Sequence, residues 1–230
     1  MSAIRRDDNV DNLHSIYVDQ WDWEAVICRE QRTLDFLKET VQKIVAAFLK
    51  THQAVVSQYP NLRQRFSPEV FFITSQELAD RYPELSPKER EQRITREKGT
   101  VFIMQIGGKL KDGQRHDGRA PDYDDWDLNG DLLMWSDPLA RSVELSSMGI
   151  LVDSESLRAQ LQKAGCPERA AFDYHQKILN DTLPLTIGGG IGQSRICLIM
   201  LDKAHIGEVQ SSIWPEEMIE RCAQNNIELL

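Results

Sequence analysis

Residues 112–131 hold seven aspartates against two arginines, Arg115 and Arg119. So many like charges repel when buried together. They are tolerated in solvent, or where a cation or ammonium group shares the site. The run Arg119-Ala-Pro-Asp122-Tyr-Asp124-Asp125-Trp126 therefore has two readings. It is an exposed acidic loop, or it is a polar site for a cationic group in which Arg119 takes a carboxylate by its fork.

Asp131 and Glu144 flank or occupy two short strand-like runs, 132–135 and 142–145, around an Asp-Pro turn at 137–138. A hairpin would bring the two acids together. Paired carboxylates on adjacent strands hold Mg²⁺ with phosphate oxygens, although any surface hairpin can carry two acids. Gly188-Gly-Gly-Ile-Gly192-Gln-Ser-Arg195 is neither a Walker loop nor a dinucleotide fingerprint. Its glycines let backbone pass close to a flat ligand, with Arg195 reaching phosphate or a base; the plainer alternative is a flexible turn with one solvent arginine. Gln20 and Asp22 sit two apart in a strand-like run and so share a face. They point into a pocket, or they face water while the tryptophans pack. Arg5-Arg6-Asp7-Asp8 reads as a phosphate-gripping loop or as a ragged terminus. His116 stands out among the five histidines for its acidic surroundings. No nucleophile elbow and no zinc-ligand spacing is visible.

Positioning these residues requires a mixed set of elements. Residues 14–20 read as a short strand. Residues 23–58 read as one long amphipathic helix ended by Tyr59-Pro60. Residues 70–74 and 101–106 read as strands. Ser86-Pro87-Lys88-Glu89 starts a helix that stops at Gly99, by cap, first-turn proline and capping glutamate. Asp153 caps a helix that stops at Gly165, and a second helix fits 168–179. Thr186-Ile187 leads into the glycines, and 191–201 reads as an apolar helix. Long excursions interrupt the strands without a regular βαβ rhythm, which predicts an α+β domain built on an antiparallel sheet flanked by helices. No repeat and no linker divides the chain.

Composition narrows the function classes. There are 27 basic and 36 acidic residues, a formal charge of -9, which argues against bulk nucleic-acid binding. A small anionic ligand held by a few arginines remains compatible. No apolar run is long enough for a transmembrane helix, and the charged start lacks a signal-peptide pattern. The four cysteines, Cys28, Cys166, Cys197 and Cys222, are scattered, which predicts free thiols in a reducing compartment and hence the cytoplasm.

Taken in order, Leu13-His-Ser-Ile-Tyr-Val-Asp-Gln-Trp-Asp-Trp23, Arg119 to Trp126, Leu128-Asn-Gly-Asp131, Glu144-Leu-Ser-Ser-Met-Gly149 and Thr186-Ile-Gly-Gly-Gly-Ile-Gly-Gln-Ser-Arg195 resemble the ammonia-dependent asparagine synthetase (aspartate–ammonia ligase) family. The resemblance spans essentially the whole chain. It implies a fold similar to class II aminoacyl-tRNA synthetase catalytic domains, aspartyl and asparaginyl above all. It implies that L-aspartate, ATP and ammonia give L-asparagine, AMP and pyrophosphate through a β-aspartyl adenylate, with Mg²⁺. Arg5 then grips the α-phosphate. Asp131, Glu144 and Ser147 lie near ATP and magnesium. Gly192 and Arg195 hold the phosphate tail and adenine. Gln20, Asp22, Arg119 and Asp124 form the amino-acid side, and Arg5, Asp124, Glu144 and Arg195 are the expected catalytic set. Family members are homodimers with a longer N-terminus. The expectation is therefore one truncated catalytic-type domain over residues 1–230. It would lack N-terminal strands, with the Arg5 loop unanchored, the dimer weakened or lost, and activity impaired. The competing readings are a noncatalytic synthetase-like binding protein and a tRNA synthetase fragment. The acidic charge and the lack of an evident anticodon module argue against tRNA as a partner.

Overall fold

A computed structural model describes residues 1–7, 9–62 and 66–230. Asp8, the last residue of the arginine–aspartate run, and residues 63–65 lie outside them. The described residues form one seven-stranded sheet. Its strands are β1 (Ser2–Ile4), β2 (Tyr17–Val26), β3 (Phe71–Thr74), β4 (Thr100–Met104), β5 (Asp124–Ser136), β6 (Arg141–Leu151) and β7 (Thr186–Gly192), in spatial order β1-β2-β7-β6-β5-β4-β3. Every neighbouring pair is antiparallel except β3 and β4, which run parallel.

Seven α-helices accompany the sheet: α1 (Leu34–Gln58), α2 (Ser75–Arg81), α3 (Pro87–Lys98), α4 (Ser154–Ala164), α5 (Asp173–Leu179), α6 (Gln193–Met200) and α7 (Glu216–Gln224). Ser86 and Gly99 bound α3, and Asp153 and a left-handed Gly165 bound α4, as their cap chemistry predicts. The expected 23–58 helix is shorter. Residues through Val26 belong to β2, and the helix proper starts after Thr33, whose side chain accepts a hydrogen bond from the Phe36 backbone N–H. The apolar Trp23, Val26 and Ile27 satisfy a helical period by coincidence; they belong to the strand and its exit. Helix α2 follows β3 without a loop, because Thr74 and Glu77 form a capping box. The glycine run is strand, not turn: β7 extends to Gly192 and the helix begins only at Gln193.

Apolar side chains fill both sheet faces. On one, α1 (Leu37, Val41, Val45) and α6 (Ile196, Leu198, Ile199) cover Phe102, Leu132, Leu145 and Met148. On the other, α2 (Leu78) and α3 (Ile94) cover Ile73, Val101, Ile103 and Leu133. A third cluster joins Val152 to Leu157, Leu161 and Ile178 in α4 and α5. The expected absence of a strand anchoring Arg5 is not met. Ser2–Ile4 pairs with Tyr17–Asp19, and the Arg5 backbone N–H reaches the Ile16 carbonyl at 2.7 Å. No helix among the described residues is long and apolar enough to cross a membrane.

Candidate active site

One row of paired residues crosses the sheet: Asp22 on β2, Gly190 on β7, Ser147 on β6, Asp131 on β5 and Ile103 on β4. Cross-strand partners project from the same face. The row is therefore polar at one end and apolar at the other, where α2 and α3 cover it. Gln20, two residues from Asp22, shares that face, as its spacing predicts. Glu144 joins it by an irregularity. Ser147 pairs with Asp131 and Ser146 with Leu132, but Glu144 pairs with Leu133, so the register shifts at Leu145. In a regular strand, residues three apart face opposite ways; the extra residue turns Glu144 onto the face of Asp131 and Ser147.

Above this row opens a cavity of about 750 Å³. Arg5, Glu144, Ser147, Gly192 and Arg195 line it together with Gln20, Asp22 and Arg119. Eight of the ten expected site residues thus share one cavity. Asp124 and Asp131 are not in its wall. Both instead hold Arg119. Its Nε and Nη2 donate to the Asp124 carboxylate at 2.9 and 2.6 Å, and its Nη1 donates to Asp131 Oδ1 at 2.8 Å and to Ser147 Oγ at 2.5 Å. Ser147 Oγ in turn donates to Asp131 Oδ1 at 2.7 Å. Asn129 supports Asp124 from below at 3.2 Å, and its own amide is fixed by the Ile106 backbone. A guanidinium has five N–H donors. These contacts leave Arg119 a single Nη2 hydrogen for a ligand, not the open fork expected from the sequence. Burial opposes the Arg119 charge, but the two aspartates outweigh it and keep the group protonated. Burial also pushes the Asp124 carboxyl up, against the pull of Arg119 and Asn129.

Arg195, in the first turn of α6, also lines the cavity. Its Nη1 donates to the Glu144 backbone carbonyl at 3.0 Å. The Glu144 carboxyl is pushed up by burial and then by the nearby Asp131 charge, with Arg195 opposing. Two carboxylates in mutual repulsion, one of them held by Arg119 and Ser147, suit a shared divalent cation. Among the described residues no group of three His, Cys, Asp or Glu side chains could hold a metal alone. Gly190 forms the floor between the two ends. A Cβ there would come within 3.1 Å of Asp22 Oδ1 and 3.4 Å of Gln20 Oε1. The Met1 ammonium lies 3.3 Å from Asp22 Oδ2.

His14, Ser15, Tyr123, Ser194 and Gln210 also line the cavity and were not among the expected residues. His14 Nδ1 bonds Asp11 at 2.8 Å, which fixes its ring. Ser194, Gln210 and the Tyr17 carbonyl form a short hydrogen-bonded chain, and Ser15 Oγ donates to the same carbonyl. His14 and Ser15 fall inside the long 13–23 motif, but Gln210 had no sequence signal. His116 lies outside the cavity, buried with its Nε2 3.1 Å from Glu91.

A family model described as aspartate–ammonia ligase matches residues 1–226. The aspartate–ammonia ligase of Lactobacillus acidophilus is 59% identical over 231 residues, covering 100% of this chain and 69% of that protein. The Clostridium perfringens enzyme of the same name is 58% identical over 230 residues, 68% of its length. Among solved structures, the Entamoeba histolytica asparaginyl-tRNA synthetase in complex with asparaginyl-adenylate superposes with a TM-score of 0.63 at 16% identity, over 91% of this chain and 50% of that one. The Pyrococcus horikoshii asparaginyl-tRNA synthetase gives 0.61 at 14% identity, over 94% and 52%. The chain spans about half the length of these synthetases, and at such identity the likeness is one of fold. With the 1–226 match and relatives near three-fifths identical, the chain belongs to the aspartate–ammonia ligase family of ATP-dependent, asparagine-forming enzymes.

Proposed function

We propose that the cavity activates the side-chain carboxylate of L-aspartate with ATP, giving β-aspartyl adenylate and pyrophosphate, and then admits ammonia to form L-asparagine and AMP. One observation carries the reading: a single cavity is lined by one set of residues, Arg5, Glu144 and Arg195, and by another, Gln20, Asp22 and Arg119. The first set suits a triphosphate. The second suits a zwitterion, with Asp22 taking the ammonium group and the remaining Arg119 Nη2–H a carboxylate. Arg5 and Arg195 would offset charge on the phosphorus transition state from fixed positions. Glu144 and Asp131 would hold Mg²⁺, which would supply positive charge to offset that of the phosphates. Gly190 leaves room for the substrate to lie against the strand.

Two of the three apolar clusters pack on the one sheet and the third adjoins the end of β6, which supports reading residues 1–230 as one catalytic domain. The four cysteines are free in the fold, which supports a reducing compartment, the cytoplasm. The test is aspartate-dependent ATP–pyrophosphate exchange in the absence of ammonium, followed by asparagine formation when ammonium is added. Exchange that depends on tRNA, or that any amino acid supports equally, would overturn the reading.

A further inference from the structure

A second cavity, of about 300 Å³, adjoins the first. Tyr123 lines both and stands between them. Glu24, Tyr174 and Thr186 supply the other polar groups, and Leu151, Ile178 and Pro184 contribute apolar wall. Glu24 lies on β2 opposite Gly188, two residues past Asp22 and on the same face. Its carboxylate makes no hydrogen bond or ion pair with any described residue, although its charge is felt by both tyrosines. The phenols of Tyr123 and Tyr174 are pushed up by burial first and then by neighbouring carboxylates: Asp124, Glu24 and Asp22 for Tyr123, and Glu24 for Tyr174. Both phenols therefore stay neutral, with oxygens able to accept hydrogen bonds and rings able to face a cation.

An open cleft with one exposed carboxylate that lacks an ion-pair partner among the described residues, two half-exposed tyrosine rings and one hydroxyl suits a small monovalent cation. Carboxylate and hydroxyl oxygens accept N–H donors, and the rings attract the charge by their quadrupoles. The volume is at the lower end for ligand pockets, about 300–1,000 Å³, and excludes a nucleotide.

We propose that this chamber is the ammonium-binding site, with Glu24 as the residue that captures the ion and Tyr123 as the partition past which ammonia enters the main cavity. The assignment rests on the adenylate-forming reading above. Glu24 is about 7 Å along the strand from Asp22, so the path is short. The step balances as follows. Ammonium, held by Glu24, gives one proton to solvent at the open mouth. The nitrogen lone pair forms the C–N bond at the activated side-chain carbonyl carbon. The C–O bond to AMP breaks, its electron pair leaving on the phosphate oxygen, and the nitrogen loses its second proton to water.

The test uses Glu24→Gln in the intact protein, with two readouts. In crystals soaked in rubidium chloride, an ion close to ammonium in size, an anomalous peak should lie beside the Glu24 carboxylate and vanish in the variant. In kinetics, the KM for ammonium chloride should rise about tenfold or more while the KM for aspartate and ammonium-free pyrophosphate exchange stay within about twofold. No rubidium peak in the wild-type chamber, an unchanged ammonium KM, or a parallel loss of exchange would each overturn the proposal. Failure of the wild type to exchange pyrophosphate would instead remove the adenylate reading. The rubidium peak would still decide whether the chamber binds a monovalent cation.

Discussion

Replacing Asp124 by Asn removes one charge from the Arg119 clamp while keeping the side-chain shape. Asp124 is fully buried and the Arg119 side chain is 13% exposed, so solvent screens their attraction little. Asn can still accept one hydrogen bond from Arg119 and can keep its contact with Asn129. Its NH₂ group, however, must face a guanidinium nitrogen where carboxylate oxygens now sit at 2.6–3.2 Å. Breaking a buried pair costs about 3–5 kcal/mol. Asp131 still balances part of the Arg119 charge, which places this change near 3 kcal/mol on that scale. For a chain of this length that lowers Tm by about 6–12 °C. Thermal melts and urea titrations at neutral pH measure the change, the urea midpoint falling at unchanged slope. The double variant Arg119→Met with Asp124→Leu should lose less stability than the two single losses summed, because both members of the desolvated pair go together, although Asp131 is left without its partner. It should not recover exchange activity, since the fixed charge on the aspartate wall is gone. A drop in Tm below about 2 °C for Asp124→Asn, or a double variant that loses the sum of two single losses, would refute the clamp as described.

Glu144→Gln should lower aspartate-dependent pyrophosphate exchange by about 10²-fold or more. Its Tm should stay level or rise, because burial and Asp131 already disfavour the Glu144 charge. Gly190→Ala places a methyl 3.1 Å from Asp22 Oδ1. The fold should survive, while the KM for aspartate rises roughly tenfold or more, the scale of one misplaced methyl(ene) in a pocket. Stability should also fall on acidification through His205. Burial lowers its pKa below the ordinary 6.5, against the pull of Glu208 and Asp11, and its Nδ1 accepts the Gly207 N–H at 3.0 Å. The unfolded chain therefore takes the proton first, and stability is lost as pH falls below about 6.5. In His205→Gln, the urea midpoint should depend less on pH between about 6.5 and 5.

The residues that line the cavity were largely legible, because each came with a local pattern. Gln20 and Asp22 share a face by strand period. Asp131 and Glu144 sit on the two arms of a hairpin, and Arg195 follows a strand-to-helix change. Sequence spacing did not give the register shift at Leu145, which decides that Glu144 faces the cavity at all. It did not show that Asp124 and Asp131 both hold Arg119, since both contacts depend on strands meeting in space. The clasp in which Arg32 joins Asp125, Asp153 and the Leu151 carbonyl was equally hidden, its members lying far apart in the chain. The helix-period reading of 23–33 failed because a strand exit and a helix start, side by side, imitate one amphipathic face.

The pairing of β2 with β7 has a bearing on how the protein is made. Asp22 and Gly190 adjoin in the sheet yet come from opposite ends of the chain. During synthesis β2 emerges early and waits for the ribosome to deliver residues 186–192 before its inner edge is covered. Helix α1, with its local contacts, can form meanwhile, but such long-range strand closure is slow. The aspartate wall is thus among the last parts to exist. A nascent chain arrested before residue 186 would carry the hairpin of β5 and β6 with Glu144 and Asp131 in place, and no floor on which an amino acid could rest.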